Sequence, residues 1–154
     1  MEIERKFLVD GGAPEGDFAA SRIRQGYVAI AADGGEVRVR DRDGECTLTV
    51  KHGTGVVREE HETVVSAELF EALWPTTNGR RVEKRRLLVP LGGGLTAEVD
   101  VFDGALAGLV VVEVEFASLE QAGSFAPPPW FGREVSEDRG YKNQSLALHG
   151  PPAR

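Results

Sequence analysis

Met1-Glu2-Ile3-Glu4-Arg5-Lys6-Phe7 opens the chain and decides how the rest is read. Glu2, Glu4 and Lys6 fall at every second position. In a β-strand residues i, i+2 and i+4 share one face, so this strand turns two carboxylates and an ammonium to one side. Ile3 and Phe7 turn to the other side.

The same pattern recurs along the chain. Arg38 and Arg40 flank Val39. Lys51 follows Thr47 and Thr49 in phase. Arg58, Glu60 and Glu62 alternate, as do Lys84 and Arg86. Glu98 and Asp100 lie among Ala97, Val99 and Val101, and Glu113 and Glu115 among Val112, Val114 and Phe116. These segments have β-branched residues, period two and turn residues at their ends, which is the signature of strands. One such pair is ordinary for an antiparallel sheet with a wet face. The set is different, because its polar faces are almost wholly charged and the signs are grouped by strand. A polyanion with its metal needs both properties. Carboxylates hold hard cations such as Mg2+ or Mn2+, and Arg and Lys hold phosphate oxygens.

Composition sets the bounds. The 154 residues suffice for one domain, and 41% hydrophobic with 28% charged residues describes a soluble globular protein. No apolar run reaches membrane-spanning length, and the basic, apolar start of a signal peptide is missing. A net charge of −7 argues against non-specific nucleic-acid binding. A small polyanion can still bind where alternation gathers the positive charges. The lone Cys46 suits a reducing cytoplasm. His52, His61 and His149 have no common spacing for zinc, and His61, between Glu60 and Glu62, is expected to face away from the site. Arg5 is expected to face outward as well.

Strands are expected near 2–9, 22–30, 36–42, 45–52, 56–64, 79–89, 95–103 and 108–116, with a short piece near 133–137. Ser66 caps a helix through Trp74. Ser118 and Gln121 match a capping box for a very short helix. Lys142 to Leu148 reads as helix, stopped by Gly150. Eight or nine antiparallel strands can close on themselves, although alternation alone also permits an open sheet or a half-barrel. With the charges inside, the apolar outer wall needs cover, which the helices at 66–74 and 142–148 can supply.

The ordered set of motifs resembles the CYTH superfamily, the triphosphate tunnel metalloenzymes. It comprises Glu2-x-Glu4-x-Lys6, Gln25-Gly26-Tyr27, Arg38-x-Arg40, Thr47-Leu48-Thr49-x-Lys51, Arg58-x-Glu60-x-Glu62, Lys84-x-Arg86, Glu98-x-Asp100-x-Phe102-x-Gly104 and Glu113-x-Glu115-Phe116. Trp130 to Val135 and Tyr141-Lys142-Asn143 continue it, so that residues 1 to about 148 are covered. The resemblance implies an α+β fold: a closed, antiparallel eight-stranded β-barrel with a charged interior and a few covering helices. It implies one domain over 1–150 and a frayed tail at 151–154.

It also implies metal-dependent hydrolysis of a triphosphate, inorganic triphosphate first and nucleoside or thiamine triphosphate next. A class IV-type adenylyl cyclase and a non-catalytic polyphosphate-binding module are the alternatives. Lys6, Arg38, Arg40, Lys51, Lys84 and Arg86 would bind the triphosphate. Glu2, Glu4, Glu113 and Glu115 would hold Mg2+ or Mn2+. Glu60, Glu62, Glu98 and Asp100 would add metal ligands or orient the basic groups. Lys6 and Tyr27 match a catalytic dyad of some relatives, with Lys6 as general base or as phosphate clamp. The expected partner is the small triphosphate, with no nucleic acid or membrane, and a homodimer is possible.

Overall fold

The computed structural model describes residues 3–52 and 59–153, so Glu2 and Arg58 of the motifs lie outside the described residues. Eight strands form one antiparallel sheet: β1 (Ile3–Leu8), β2 (Ala19–Ile30), β3 (Glu36–Arg42), β4 (Glu45–His52), β5 (Glu59–Val65), β6 (Arg81–Gly92), β7 (Leu95–Phe102) and β8 (Val110–Phe116). Their spatial order is β1-β8-β7-β6-β2-β3-β4-β5.

The sheet is not closed, which corrects the expected barrel. β1 and β5 stand at opposite ends and do not pair. The free edge of β1 is already taken. Leu8 N donates to Arg133 O, Gly132 N to Leu8 O and Val135 N to Lys6 O, while Phe7 bridges Glu134. A strand has only two edges, so this irregular segment displaces β5 from the seam. Pairing there would also bring Glu4 toward Glu60 and Glu62, and opposed like charges destabilise a sheet. The result is a curled, tunnel-like sheet with one open side.

The outer wall is apolar, as the alternation demands. Phe7, Val99, Val112 and Val114 are buried there beneath α2 (Leu119–Ser124), Phe125, Trp130 and Phe131. Phe125 and Phe131 pack as tilted rings 5.9 Å apart. A second outer patch, Val39 and Cys46, lies beneath Phe70 of α1 (Ala67–Leu73). Ser66 caps α1 by accepting from Leu69 N. The turn after α1 presses Thr77 so closely on β2 that a Cβ at Gly26 would lie 2.5 Å from its hydroxyl oxygen. Only glycine fits there.

The third helix departs from expectation. α3 (Asn143–His149) was expected to cover the outer wall. Instead Leu146 and Tyr141 pack with Leu8, Val82, Phe102 and Val111. Those four share the strand phase of the charged residues, so α3 sits inside the curl and stoppers one end of it. Gly150 ends α3 at φ 71°, a conformation that suits glycine.

Candidate active site

The concave face encloses a cavity of about 1020 Å³. Among the described residues its lining carries eight carboxylates and seven Lys or Arg side chains. β1, β8 and β7 form an acidic wall of Glu4, Glu113, Glu115 and Glu98. β3, β4 and β6 bring Arg38, Arg40, Lys51 and Arg86, and β5 adds Glu60 and Glu62. Alternation thus gathers twelve of the expected site residues on one face, Lys6 and Tyr27 included.

The register sharpens the acidic wall. Glu4 is the direct cross-strand partner of Glu115, and Glu98 of Glu113. Two like-charge pairs side by side cost stability in a bare sheet. Lys6 stands in the same row, 3.1 Å from Glu113, and its ammonium also donates to Tyr141 O at 3.0 Å.

The basic wall is built around three guanidiniums. Arg86 grips Asp100 with two hydrogen bonds of 2.8 and 3.1 Å and lies 3.4 Å from Glu98. Arg38 leans on Glu36 at 3.4 Å, and its buried Nε has no hydrogen-bond partner among the described residues. Arg40 has no ion pair within 4.0 Å among the described residues. Its Nε donates to Gln25 Oε1 at 3.2 Å. Burial, then the neighbouring charges of Arg38 and Arg86, pull the Arg40 pKa below its ordinary value, with Glu62 opposing.

Two expected site residues lie below the surface of the cavity. Lys84 is 4% exposed and its ammonium donates to Asp100 at 2.8 Å and Asn143 at 3.4 Å. Neither Lys84 nor Asp100 is among the lining residues. Burial pushes the Asp100 carboxyl up, but Lys84 and Arg86 outweigh it and hold it below its ordinary range. For Lys84 burial wins over Asp100 and pulls the ammonium down. Asp100 and Arg86, whose guanidinium Asp100 holds above its ordinary value despite burial, are the firmly charged members of this trio.

Tyr27 is 1% exposed, and its hydroxyl accepts from Gln25 Nε2 at 2.9 Å. Burial, with the charge of Glu36 second, pushes its pKa up to about 12. Among the described residues no hydrogen bond joins Tyr27 to Lys6. Arg5 faces outward, as expected, in a two-point pair with Glu134 at 2.7 and 3.0 Å.

The sequence reading missed three contributors. Glu36 shares the phase of Arg38 and Arg40, so extending that run by two positions would have found it. Gln25 shares the phase of Tyr27 in the same way. Gln144 of α3 donates to Glu36 at 3.2 Å and Gly34 O at 3.4 Å, tying the helix across the cavity. No local signal in α3 says which face of the sheet it will take.

An inorganic triphosphatase from Nitrosomonas europaea is 49% identical to this chain over 150 residues, 97% of the chain and 99% of that protein. The chain belongs to the inorganic triphosphatases of the CYTH superfamily. A second inorganic triphosphatase, from Acetivibrio thermocellus, is 37% identical over 94% of the chain and 92% of its own length. Among solved structures, the crystal structure of an inorganic triphosphatase superposes with a TM-score of 0.84 at 47% identity, covering 99% of this chain and 97% of that one. No protein-family model matches the chain. The superposition spans nearly the whole length of both chains, so the overall fold is shared with that triphosphatase. Among the described residues no helix is long and apolar enough to cross a membrane.

Proposed function

We propose that the chain hydrolyses inorganic triphosphate in the charged cavity, with nucleoside and thiamine triphosphates as poorer substrates. The observation that carries this reading is Arg40. It is a half-buried cation between two others, with no carboxylate within ion-pair distance among the described residues. A fixed anion, such as a phosphate group, is the partner that such a cluster lacks.

The donor set fits a divalent cation. A triphosphate brings about four negative charges near neutral pH into a lining where carboxylates already outnumber Lys and Arg. Divalent ions offset that excess. Among the described residues no three carboxylates of the acidic wall converge within 4.8 Å. This suits Mg2+ or Mn2+, which keep waters and bind through one or two carboxylates plus substrate phosphates. Glu4, Glu113 and Glu115, with Glu2 on the same phase, would hold the ion, and Glu98, Glu60 and Glu62 stand in reserve. When bound, the ion supplies charge neutralisation and a more acidic water.

The chain's own residues do the rest. Arg38, Arg40, Arg86 and Lys51 hold phosphate oxygens and fix the triphosphate in line with the acidic wall. Asp100, itself held by Lys84, holds Arg86 from below. Lys6, bonded to Glu113 and the Tyr141 carbonyl, acts as a charged clamp. Tyr27 holds Gln25, which aims Arg40. Water attacks the terminal phosphorus, the bond to the bridging oxygen breaks, and the water's proton passes to a carboxylate of the acidic wall. Phosphate and pyrophosphate leave.

We read the enzyme as cytoplasmic, supported by its single cysteine, and its partner as a small triphosphate. A substrate panel tests the reading. Phosphate, pyrophosphate and cyclic AMP are measured from inorganic triphosphate, ATP and thiamine triphosphate, with Mg2+ or Mn2+ and with chelator. Phosphate release that needs the metal and is fastest with inorganic triphosphate is expected. Cyclic AMP as the product, or binding without turnover, would overturn it.

A further inference from the structure

His52 ends β4 and is the cross-strand partner of Glu59, which begins β5. His61 lies two residues further along β5, on the same face as Glu59. These residues have the opposite phase to Lys51, Glu60 and Glu62, so they stand on the convex side, away from the cavity. His52 Nε2 is 3.3 Å and His61 Nε2 3.5 Å from the same carboxylate oxygen of Glu59. The two rings are nearly parallel, 14° apart with centroids 6.2 Å from each other. Among the described residues this is the one group of three whose ligand atoms all lie within 4.8 Å of one another.

We propose that His52, Glu59 and His61 form a second metal site, for a transition-metal ion of the Zn2+ type. Two imidazoles and one carboxylate suit Zn2+, Ni2+ or Cu2+ rather than Mg2+. The spacing agrees as well. Zn–N and Zn–O bonds of about 2.0–2.2 Å put tetrahedral ligand atoms roughly 3.3–3.6 Å apart, and the two N···O separations fall in that range. The side chains are exposed, at 57%, 64% and 71%. Water can therefore complete the fourth position, and little must move for an ion to enter. The site ties β4 to the edge strand β5, whose opposite face carries Glu60 and Glu62 into the cavity. It is separate from the Mg2+ or Mn2+ site on the acidic wall in both ligand type and face.

Zinc titration by calorimetry in excess Mg2+, which keeps the acidic wall loaded, tests the proposal. Wild type is expected to bind one more equivalent of Zn2+ than the double variant His52→Ala/His61→Ala. Each single variant, and Glu59→Gln, should weaken that equivalent at least tenfold. Co2+ in place of Zn2+ should give the absorption of a tetrahedral site in wild type and lose it in the double variant. Hydrolysis with Mg2+ alone should be unchanged in all of them, since none of the three lines the cavity. An unchanged Zn2+ stoichiometry and Co2+ spectrum in the double variant would overturn the site, as would wild type that binds no Zn2+ in excess Mg2+.

Discussion

Glu4 and Glu115 are directly opposed across β1 and β8, two carboxylates on one face in hydrogen-bonding register. Such a pair costs roughly 0.2–1 kcal/mol in a sheet. The arrangement makes sense when a cation is shared between the strands. Glu115→Gln should therefore stabilise the metal-free protein by up to about 1 kcal/mol while removing most Mg2+-dependent turnover. Urea melts in chelator, set beside turnover in Mg2+, check both halves. Loss of stability together with full activity would contradict the metal assignment of this wall.

Gln25 links Tyr27 to Arg40, accepting from the guanidinium and donating to the phenol oxygen. Gln25→Leu should leave Arg40 charged but unaimed. KM for inorganic triphosphate is expected to rise roughly tenfold, about 1.4 kcal/mol, with a smaller change in kcat. Arg40→Ala, which removes the charge as well, should raise it further. Equal KM values for Gln25→Leu and wild type would show that Arg40 needs no aiming.

The Tyr27 phenol, pushed up to about 12, stays protonated through the neutral range. Its folded pKa lies above its unfolded value of 10.0. The stability it contributes is thus complete below pH 10.0 and is lost as the pH rises toward 12. Ultraviolet titration should find one phenol ionising late, and Tyr27→Phe should remove it.

How much of this was legible beforehand follows from what alternation does and does not encode. Period two assigns each residue to a face, so Arg38, Arg40, Arg86, Glu4, Glu98, Glu113 and Glu115 could be placed on one wall without coordinates. Arg5 and His61 could be placed on the other. It does not encode what lies along a strand edge. The competition between the 132–136 segment and β5 for the edge of β1 is a tertiary matter, and the barrel expectation failed there. Depth is not encoded either. Lys84 and Arg86 share a phase, yet Phe102, Asn143 and Asp100 bury the first and leave the second at the cavity. The side on which α3 docks depends on Leu146 finding Phe102 and Val111, which its short sequence does not announce.

Asp100 is the common anchor of Lys84 and Arg86. Asp100→Ala leaves Lys84, 4% exposed, without its counter-charge and leaves Arg86 with Glu98 alone. A loss of about 3–5 kcal/mol is expected, the cost of breaking a buried pair from one side. The carboxyl is held below its ordinary value of 3.8. Its contribution is therefore present above that pH and fades as the pH falls through the lower folded value. Unfolding measured from pH 7 to pH 2 should show wild type losing stability in acid more steeply than Asp100→Asn. Parallel acid limbs would remove Asp100 from the account.

Lys6 is the cation set into the acidic wall, and its two partners define what it can do. Glu113 at 3.1 Å and the Tyr141 carbonyl at 3.0 Å are acceptors, so both contacts use protons that the ammonium holds. A clamp keeps those protons, whereas a general base must give one up before each turnover. Arg also keeps its charge and cannot act as a base near neutral pH. Lys6→Arg therefore separates the roles. For a clamp, single-turnover hydrolysis should stay within about tenfold of wild type, with the pH–rate profile unmoved and KM raised as the longer side chain crowds Glu113. Lys6→Met, which loses charge and donors together, should raise KM further and loosen the Tyr141 segment. A Lys6→Arg enzyme that binds triphosphate normally but loses the chemical step by several orders of magnitude, along with the rising limb of the profile, would instead make Lys6 the base.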